Sequence, residues 1–299
     1  MKPYFDIIVV IPVGPNTDPG FIADTINSFT HYTRSSYRII IADDSQQGLG
    51  AQVKKTFPDL DIVSTRKSMG AMAGLYITLS LAFRHAVERY AFKLLFKIDT
   101  DALVIGAEPE KEALQLFEEH PRMAIAGQYP LDYHGHPWDV GWPRARIVNG
   151  TMTWKFIRRP VPNILLRKLY IRALANGYRT GESVFGGAYF MGETFLKTLL
   201  EHRFLPNLLL GKLNMGEDHL FALLAKSLGF ELGDLSAGRL PFGCAWKGLP
   251  VSPEQLKKDG KKIIHSTRSW QDMKEADIRN FFIKQRQLAP GNTLTAVAN

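Results

Sequence analysis

The stretch "FKIDTDALV", Phe96 to Val104, decides how the chain is read. Its first half continues a run, Phe92–Ile98, that is apolar with little alternation, the pattern of a strand buried on both faces. The run ends on two carboxylates, Asp99 and Asp101, with the small Thr100 between them. On an extended backbone, residues i and i+2 share a face about 6–7 Å apart, so the two side chains are expected to point the same way. Like charges that close repel one another. Two oxygens on one side can instead hold a hard divalent cation at about 2.1–2.4 Å and leave coordination sites for phosphate oxygens. A pair of solvated turn aspartates is the alternative. Placement at the end of a buried strand favours the metal reading.

Outward from this stretch, strand and helix patterns alternate. Ile7–Val13 reads as a first strand, "YRIIIADDS" as a second ending on Asp43 and Asp44, and "LDIVSTR" as a short third. Between the first two, Asp18 and Pro19 have the residue types of an N-cap and a first helical position. "MGAMAGLYITLSLAFRHAVERY" and "EKEALQLFEEH" read as helices, and "MAIAGQY" as a further strand. Such alternation implies βαβ units and a mostly parallel sheet. Ligands in such sheets gather at the carboxyl ends of strands. Pro12, Val13, Asp43, Asp44, Arg66, Asp99 and Asp101 all fall at those ends.

The pattern breaks from Pro130 to Gly181. "PLDYHGHPWDVGWPRARI" is aromatic and turn-rich and reads as an insertion loop rather than core. Lys155–Gly181 then carries seven Lys and Arg, no acid and many apolar residues. That is the pattern of a membrane-surface or partner-docking segment, or of a helix packed on the core with a basic solvated face. Helical patterns return in "ETFLKTLLEHRF" and "MGEDHLFALLAKSLGFEL", the latter stopped by Gly229.

Of 299 residues, 45% are hydrophobic and 22% charged, which is ordinary for a folded protein, and the net charge of +8 fits either an ordinary basic protein or one that meets anionic ligands, nucleic acid or an anionic membrane surface. The single cysteine, Cys244, excludes an internal disulfide and suits a reducing, cytoplasmic setting. Within residues 1–299 no apolar run is long enough to span a bilayer. The phosphate loop G-x-x-x-x-G-K-[ST], the dinucleotide fingerprint G-x-G-x-x-G, the G-x-S-x-G elbow and paired CxxC are all absent.

Three later motifs carry chemistry. "GEDHL" opens a helix with Glu217 and Asp218, which suit the positive helix end and equally a general base. "IIHS" sets His265 after a short apolar strand, a candidate third metal ligand. "FGGAYF" places Gly186 and Gly187 where backbone approaches a ligand closely.

In order, "VVIPVG", "IIADDS", "FKIDTDA", "FGGAYFMG", "MGEDHLFALLAKSLGF" and "IIHS" resemble the GT-A glycosyltransferases, particularly the family-two type, over roughly Ile7 to His265. The resemblance implies a single α/β GT-A domain over 1–287, with 130–181 as an acceptor- or membrane-facing insertion and 288–299 as a flexible tail. It implies that Pro12, Val13 and Asp43 or Asp44 hold the nucleotide base, with Arg66 near the base or diphosphate. Asp99 would touch ribose or metal, and Asp101 would bind Mn2+ or Mg2+ with His265 completing the site. Gly186 and Gly187 would line the donor and acceptor face, and Asp218, in the pair with Glu217, would be the catalytic base. The activity implied is an inverting hexosyl transfer from a nucleoside-diphosphate sugar, UDP-sugar favoured, to a glycan or lipid-linked acceptor. Cytoplasmic location, peripheral contact with an anionic membrane and no nucleic acid partner complete the expectation. The chain departs from the pattern in "DDSQ" for D-D-G-S and in lacking the Arg-Asn pair after the third strand. A nucleotidyltransferase and a non-enzymatic nucleic-acid or nucleotide binder are the competing classes. The first lacks a dense Gly-rich phosphate loop in "IPVGPNTDPG", and the second lacks any recognised nucleic-acid module.

Overall fold

A computed structural model describes residues 1–288; the expected tail lies outside the described residues except Leu288, which ends the last helix. Strands β1 (Tyr4–Val13), β2 (Tyr37–Asp43), β3 (Asp61–Ser64), β4 (Ala91–Ile98), β5 (Ala102–Val104), β6 (Met123–Gly127), β7 (Ala188–Gly192), β8 (Glu231–Asp234), β9 (Phe242–Cys244) and β10 (Ile263–His265) form the framework. The main sheet has seven strands in the order β3-β2-β1-β4-β7-β6-β8. All neighbours in it are parallel except that β7 runs against both β4 and β6. β1 and β4 bury their central runs, Ile7–Ile11 and Leu94–Ile98, completely, which fits a sheet covered on both faces.

The helices are α1 (Pro19–Tyr32), α2 (Leu49–Thr56), α3 (Ala73–Arg89), α4 (Lys111–Glu119), α5 (Gly141–Thr151), α6 (Pro160–Ala175), α7 (Glu193–Glu201), α8 (Glu217–Ser227), α9 (Pro253–Lys258) and α10 (Glu275–Leu288). Asp18 caps α1, its carboxylate accepting from the Gly20 amide at 2.7 Å, with Pro19 in the first turn. α2 was not legible as a helix because its eight residues carry little apolar periodicity. α3 and α8 pack on one face of the sheet and α1 and α2 contribute to the core on the other.

The stretch expected to be an insertion loop is more ordered than its composition suggests. Residues 141–151 are helix α5, and Ile147 is wholly buried in the core. The Gly, Pro and Trp content concealed a helix whose inward face is only Pro143, Ile147 and Thr151.

A second, three-stranded sheet, β5-β10-β9, positions the site. Its register sets His265 opposite Ala102 on one side and Cys244 on the other. Ala102 directly follows Asp101, so this pairing brings a histidine from late in the chain beside the "DTD" turn. No helix among the described residues is long and apolar enough to cross a membrane.

Candidate active site

Strand β4 stops at Ile98, and residues 99–101 form a turn closed by the Ala102 amide on the Asp99 carbonyl at 3.1 Å. The two aspartates therefore converge through a turn, not through the strand pleat expected from spacing alone. The turn is held from several sides. The Asp99 amide donates to the Gly187 carbonyl at 2.9 Å, and the Thr267 amide and hydroxyl both donate to the Asp101 carbonyl. The buried Arg279 of α10 donates to the Thr100 carbonyl and pairs with Asp24 at 2.9 Å.

Asp99, Asp101 and His265 each present a ligand atom, all within 4.8 Å of one another. His265 Nδ1 lies 2.9 Å from the Ala245 carbonyl. That bond places a ring proton on Nδ1, so Nε2, 3.3 Å from Asp101 Oδ1, is the nitrogen that pairs with the carboxylate when it too is protonated and that offers its lone pair to a cation when it is not. Two carboxylates and one imidazole form a donor set that Mn2+ or Mg2+ fits, the nitrogen favouring Mn2+. Burial would raise the Asp101 carboxyl, but the hydrogen bond and charge of His265, with Arg268 and Ser266, hold it well below the usual range. Arg268 Nε reaches Asp101 Oδ2 at 2.7 Å and the Ser266 hydroxyl donates to the same oxygen at 3.0 Å, leaving Oδ1 facing the histidine.

Beneath the cluster is a residue not singled out by sequence motif. Lys97 of β4 has no exposure. Its ammonium sits 2.7 Å from Asp99 Oδ1 and 3.6 Å from Glu217 Oε1, and donates to the Gly186 carbonyl. Burial opposes its charge, but Asp99 and Glu217 raise its pKa nonetheless. A lysine inside the buried apolar half of a strand, Leu94–Ile98, was the signal available. Glu217 faces this ammonium from the first turn of α8; burial pushes its carboxyl up to about 8, with Lys97 opposing and Asp218 and Asp99 adding to the rise.

Asp218 takes a different direction. It lines a cavity of about 270 Å³ together with Tyr129, Trp138, Phe185 and Trp246. Its Oδ2 accepts from Ser183 Oγ at 3.3 Å and lies 3.9 Å from His219 Nε2. Trp138 stacks on Phe185 at 4.9 Å, and Phe185 meets the His265 ring edge-on at 5.2 Å, so the cavity adjoins the ligand cluster. Arg179, Glu182 and the Tyr129 hydroxyl form a bonded group on its wall. These aromatic residues lie in segments where no periodic pattern exists to announce them.

Gly186 and Gly187 run between the two parts. A Cβ on Gly187 would fall 2.4 Å from His265 Cγ, and one on Gly186 would lie 3.2 Å from Glu217 Oε1. The backbone thus passes so close to both that one position tolerates no side chain.

The remaining candidates sit on neighbouring strand ends. Val13 is buried at the end of β1, its carbonyl accepting from the Asp44 amide at 2.8 Å, and Pro12 precedes it. Asp43 accepts from the Ser45 and Gly50 amides, both at 2.9 Å. Asp44 accepts from Thr65, Ser68 and the amides of Met69 and Gly70. Both carboxylates are thus engaged by the protein, and Asp44 fixes the loop on which Arg66 and Lys67 stand exposed. Cys244 is buried in β9, where burial pushes its thiol up, away from nucleophilic use.

No protein-family model matches the chain, and no curated protein matches it. Solved structures do. The chain is similar to the TarS 1–349 structure of S. aureus at 14% identity, covering 78% of this chain and 58% of that one with a TM-score of 0.45. It is similar to the mannosyltransferase PcManGT from Pyrobaculum calidifontis, in complex with GDP-Man and Mn2+, at 13% identity, 78% and 56% coverage and a TM-score of 0.44. The chain therefore spans little more than half the length of these two. It is also similar to the galactosyltransferase LgtC, in complex with donor and acceptor sugar analogs, at 9% identity, 96% and 98% coverage and a TM-score of 0.45. The named activities among these solved structures are glycosyl transfers.

Proposed function

We propose that the chain is a GT-A glycosyltransferase, moving a hexose from a nucleoside-diphosphate sugar, with UDP-sugar favoured, to a hydroxyl acceptor with inversion. One observation carries the reading. A two-carboxylate, one-imidazole ligand set adjoins an aromatic cavity into whose wall a separate carboxylate, Asp218, is built.

Asp99, Asp101 and His265 would hold Mn2+ or Mg2+. When bound, the cation neutralises charge that develops on the departing diphosphate. The chain's own residues do the rest. Ala245 fixes the histidine tautomer, and the turn locked by Gly187, Thr267 and Arg279 keeps the carboxylates in place. Lys97 balances Asp99 and Glu217 inside the protein, which leaves Glu217 a structural partner. Asp218 is the general base, taking the acceptor hydroxyl proton as that oxygen attacks the anomeric carbon from the cavity side. Attack opposite the leaving group inverts the anomeric centre. The aromatic faces of Trp138 and Trp246 suit the apolar faces of a sugar ring. The base is held at the ends of β1 and β2, against Pro12, Val13 and the loop that Asp44 orders, with Arg66 toward the diphosphate. Residues 1–287 act as one catalytic domain with 130–181 as its acceptor wall.

Calorimetric titration of UDP and GDP, with and without Mn2+, tests the reading on the native chain and Asp101→Ala. Binding of one nucleotide that requires Mn2+ and disappears in the variant is expected. Nucleotide binding indifferent to metal and to Asp101 would remove the proposed centre.

A further inference from the structure

The insertion has an outer face that the proposed transfer chemistry does not use. From Val140 to Gly181 the chain carries nine Lys and Arg and no acid. The segment beside it, His202–Gly216, also has no acid and is tied to it by the Arg159 guanidinium on the Lys212 carbonyl. α6 buries Leu166, Leu169, Tyr170 and Ala173 against the core. Its opposite face is also apolar at intervals: Val161, Ile164 and Ile171 are 58%, 46% and 56% exposed. Just before it, Met152, Trp154 and Ile157 are 64%, 65% and 71% exposed, and Leu208, in the segment tied to it through Lys212, is 66% exposed. Arg158, Arg167, Lys168 and Arg172 are exposed among them, and the Arg158 guanidinium lies 4.9 Å over the Trp154 ring.

Scattered exposed apolar residues need no explanation, but this many on one helix face and its lead-in segment, ringed by charge of a single sign, mark an interaction surface. We propose that this face docks the protein peripherally on an anionic lipid bilayer, apolar side chains entering the headgroup boundary and the cations meeting lipid phosphates. The sign of the charge selects this occupant. A second copy meeting the same face across a two-fold axis would set cations against cations. A bilayer supplies the missing anions and needs no matching side-chain pattern. The amphipathic Trp154, with a cation on its ring, is the residue type that settles at a membrane interface. Where α6 ends, Arg179 and Thr180 turn into the wall of the cavity beside Asp218. Resting on the proposed function, the docked face would thus bring that cavity to a lipid-linked acceptor.

The test is flotation of the full chain with vesicles of phosphatidylcholine alone and of phosphatidylcholine containing phosphatidylglycerol. The assay reads no turnover and needs no metal, so failure of the catalytic reading and failure of this one are separable. Binding is expected only to the anionic vesicles, weakening as salt rises, with a Trp154 emission shift absent from Trp154→Phe. Two variants of exposed residues should each lower that binding at least tenfold while melting like the native chain. One changes Arg158, Arg167, Lys168 and Arg172 to Gln; the other combines Ile157→Ser and Ile164→Ser. Absence of binding, equal binding to neutral vesicles, or anionic binding untouched by both variants would overturn the proposal. So would a native dimer that Ile157→Ser with Ile164→Ser dissociates, which would assign the face to self-association.

Discussion

Replacing Gly187 by Ala should displace a metal ligand without touching any ligand chemically. The added Cβ would lie 2.4, 2.5 and 2.7 Å from Cγ, Cδ2 and Nδ1 of His265. Comfortable contact between such atoms begins near 3.5 Å, so the ring must retreat by about 1 Å. It has little freedom to do so. Nδ1 is bonded to Ala245, Phe185 meets the ring edge-on, and the Gly187 carbonyl is itself held by the Asp99 amide. Loss of the Nδ1 bond frees the tautomer and swings Nε2 out of the cluster. The expected result is a ten- to hundredfold weaker Mn2+ affinity, the scale on which supporting contacts of metal ligands act. Overpacking should cost about 1–3 kcal/mol of stability. Electron paramagnetic resonance of free Mn2+ reads the affinity, and urea unfolding in EDTA reads the metal-free stability. Gly186→Ala is the control: its nearest contacts, 3.2 Å to Glu217 and 3.4 Å to Asp218, need only small adjustment. It should leave Mn2+ affinity within about twofold, since these contacts lie on the Asp218 side and small steric adjustments cost little. A folded Gly187→Ala protein with native Mn2+ affinity would refute the reasoning.

Three further outcomes follow from the same geometry. Asp218→Asn should reduce kcat by about 10²–10⁴ while Mn2+-dependent nucleotide binding is retained; steady-state kinetics with calorimetry separates the two, and near-native kcat would dismiss Asp218 as the base. Lys97→Met leaves Asp99 and Glu217 without their internal cation and should destabilise the fold by about 3–5 kcal/mol in urea unfolding; a loss below about 1 kcal/mol would mean the ammonium is not needed there. Burial raises the Glu217 carboxyl in the folded state from its ordinary 4.5 to about 8. Between those values the folded state holds a proton that the unfolded chain has released, so its contribution to stability is present below the lower value and lost as pH rises through the window. Glu217→Gln should flatten that fall in metal-free protein, and an unchanged slope would assign the titration elsewhere.

Strands β1, β2 and β4 were legible because burial on both faces writes continuous apolar runs into them, whereas the short edge strand β8 carries no such run. Asp18 and Pro19 were legible as a helix start because capping is a local hydrogen-bond requirement. α5 was not legible, since of its buried positions Pro143, Ile147 and Thr151 only Ile147 is a helix-compatible apolar residue, and one such residue gives no apolar period to detect. The convergence of Asp99 and Asp101 was expected for the wrong local reason, a pleat instead of a turn. The turn's geometry depends on Gly187, Thr267 and Arg279, the last two well over a hundred residues away in sequence.

By itself the sequence determined which residue types stand at the carboxyl ends of the parallel strands, because chain direction and apolar runs are properties of sequence order. It likewise determined the unbroken basic charge of Lys155–Gly181. Only the tertiary structure decided that His265 stands beside Asp101, since that follows from β10 pairing with β5 across some 160 intervening residues. It also decided that Glu217 turns toward Lys97 while its neighbour Asp218 turns toward the aromatic cavity. Adjacent positions on a helix point about 100° apart, and which of the two meets the buried ammonium depends on how α8 is seated against the sheet.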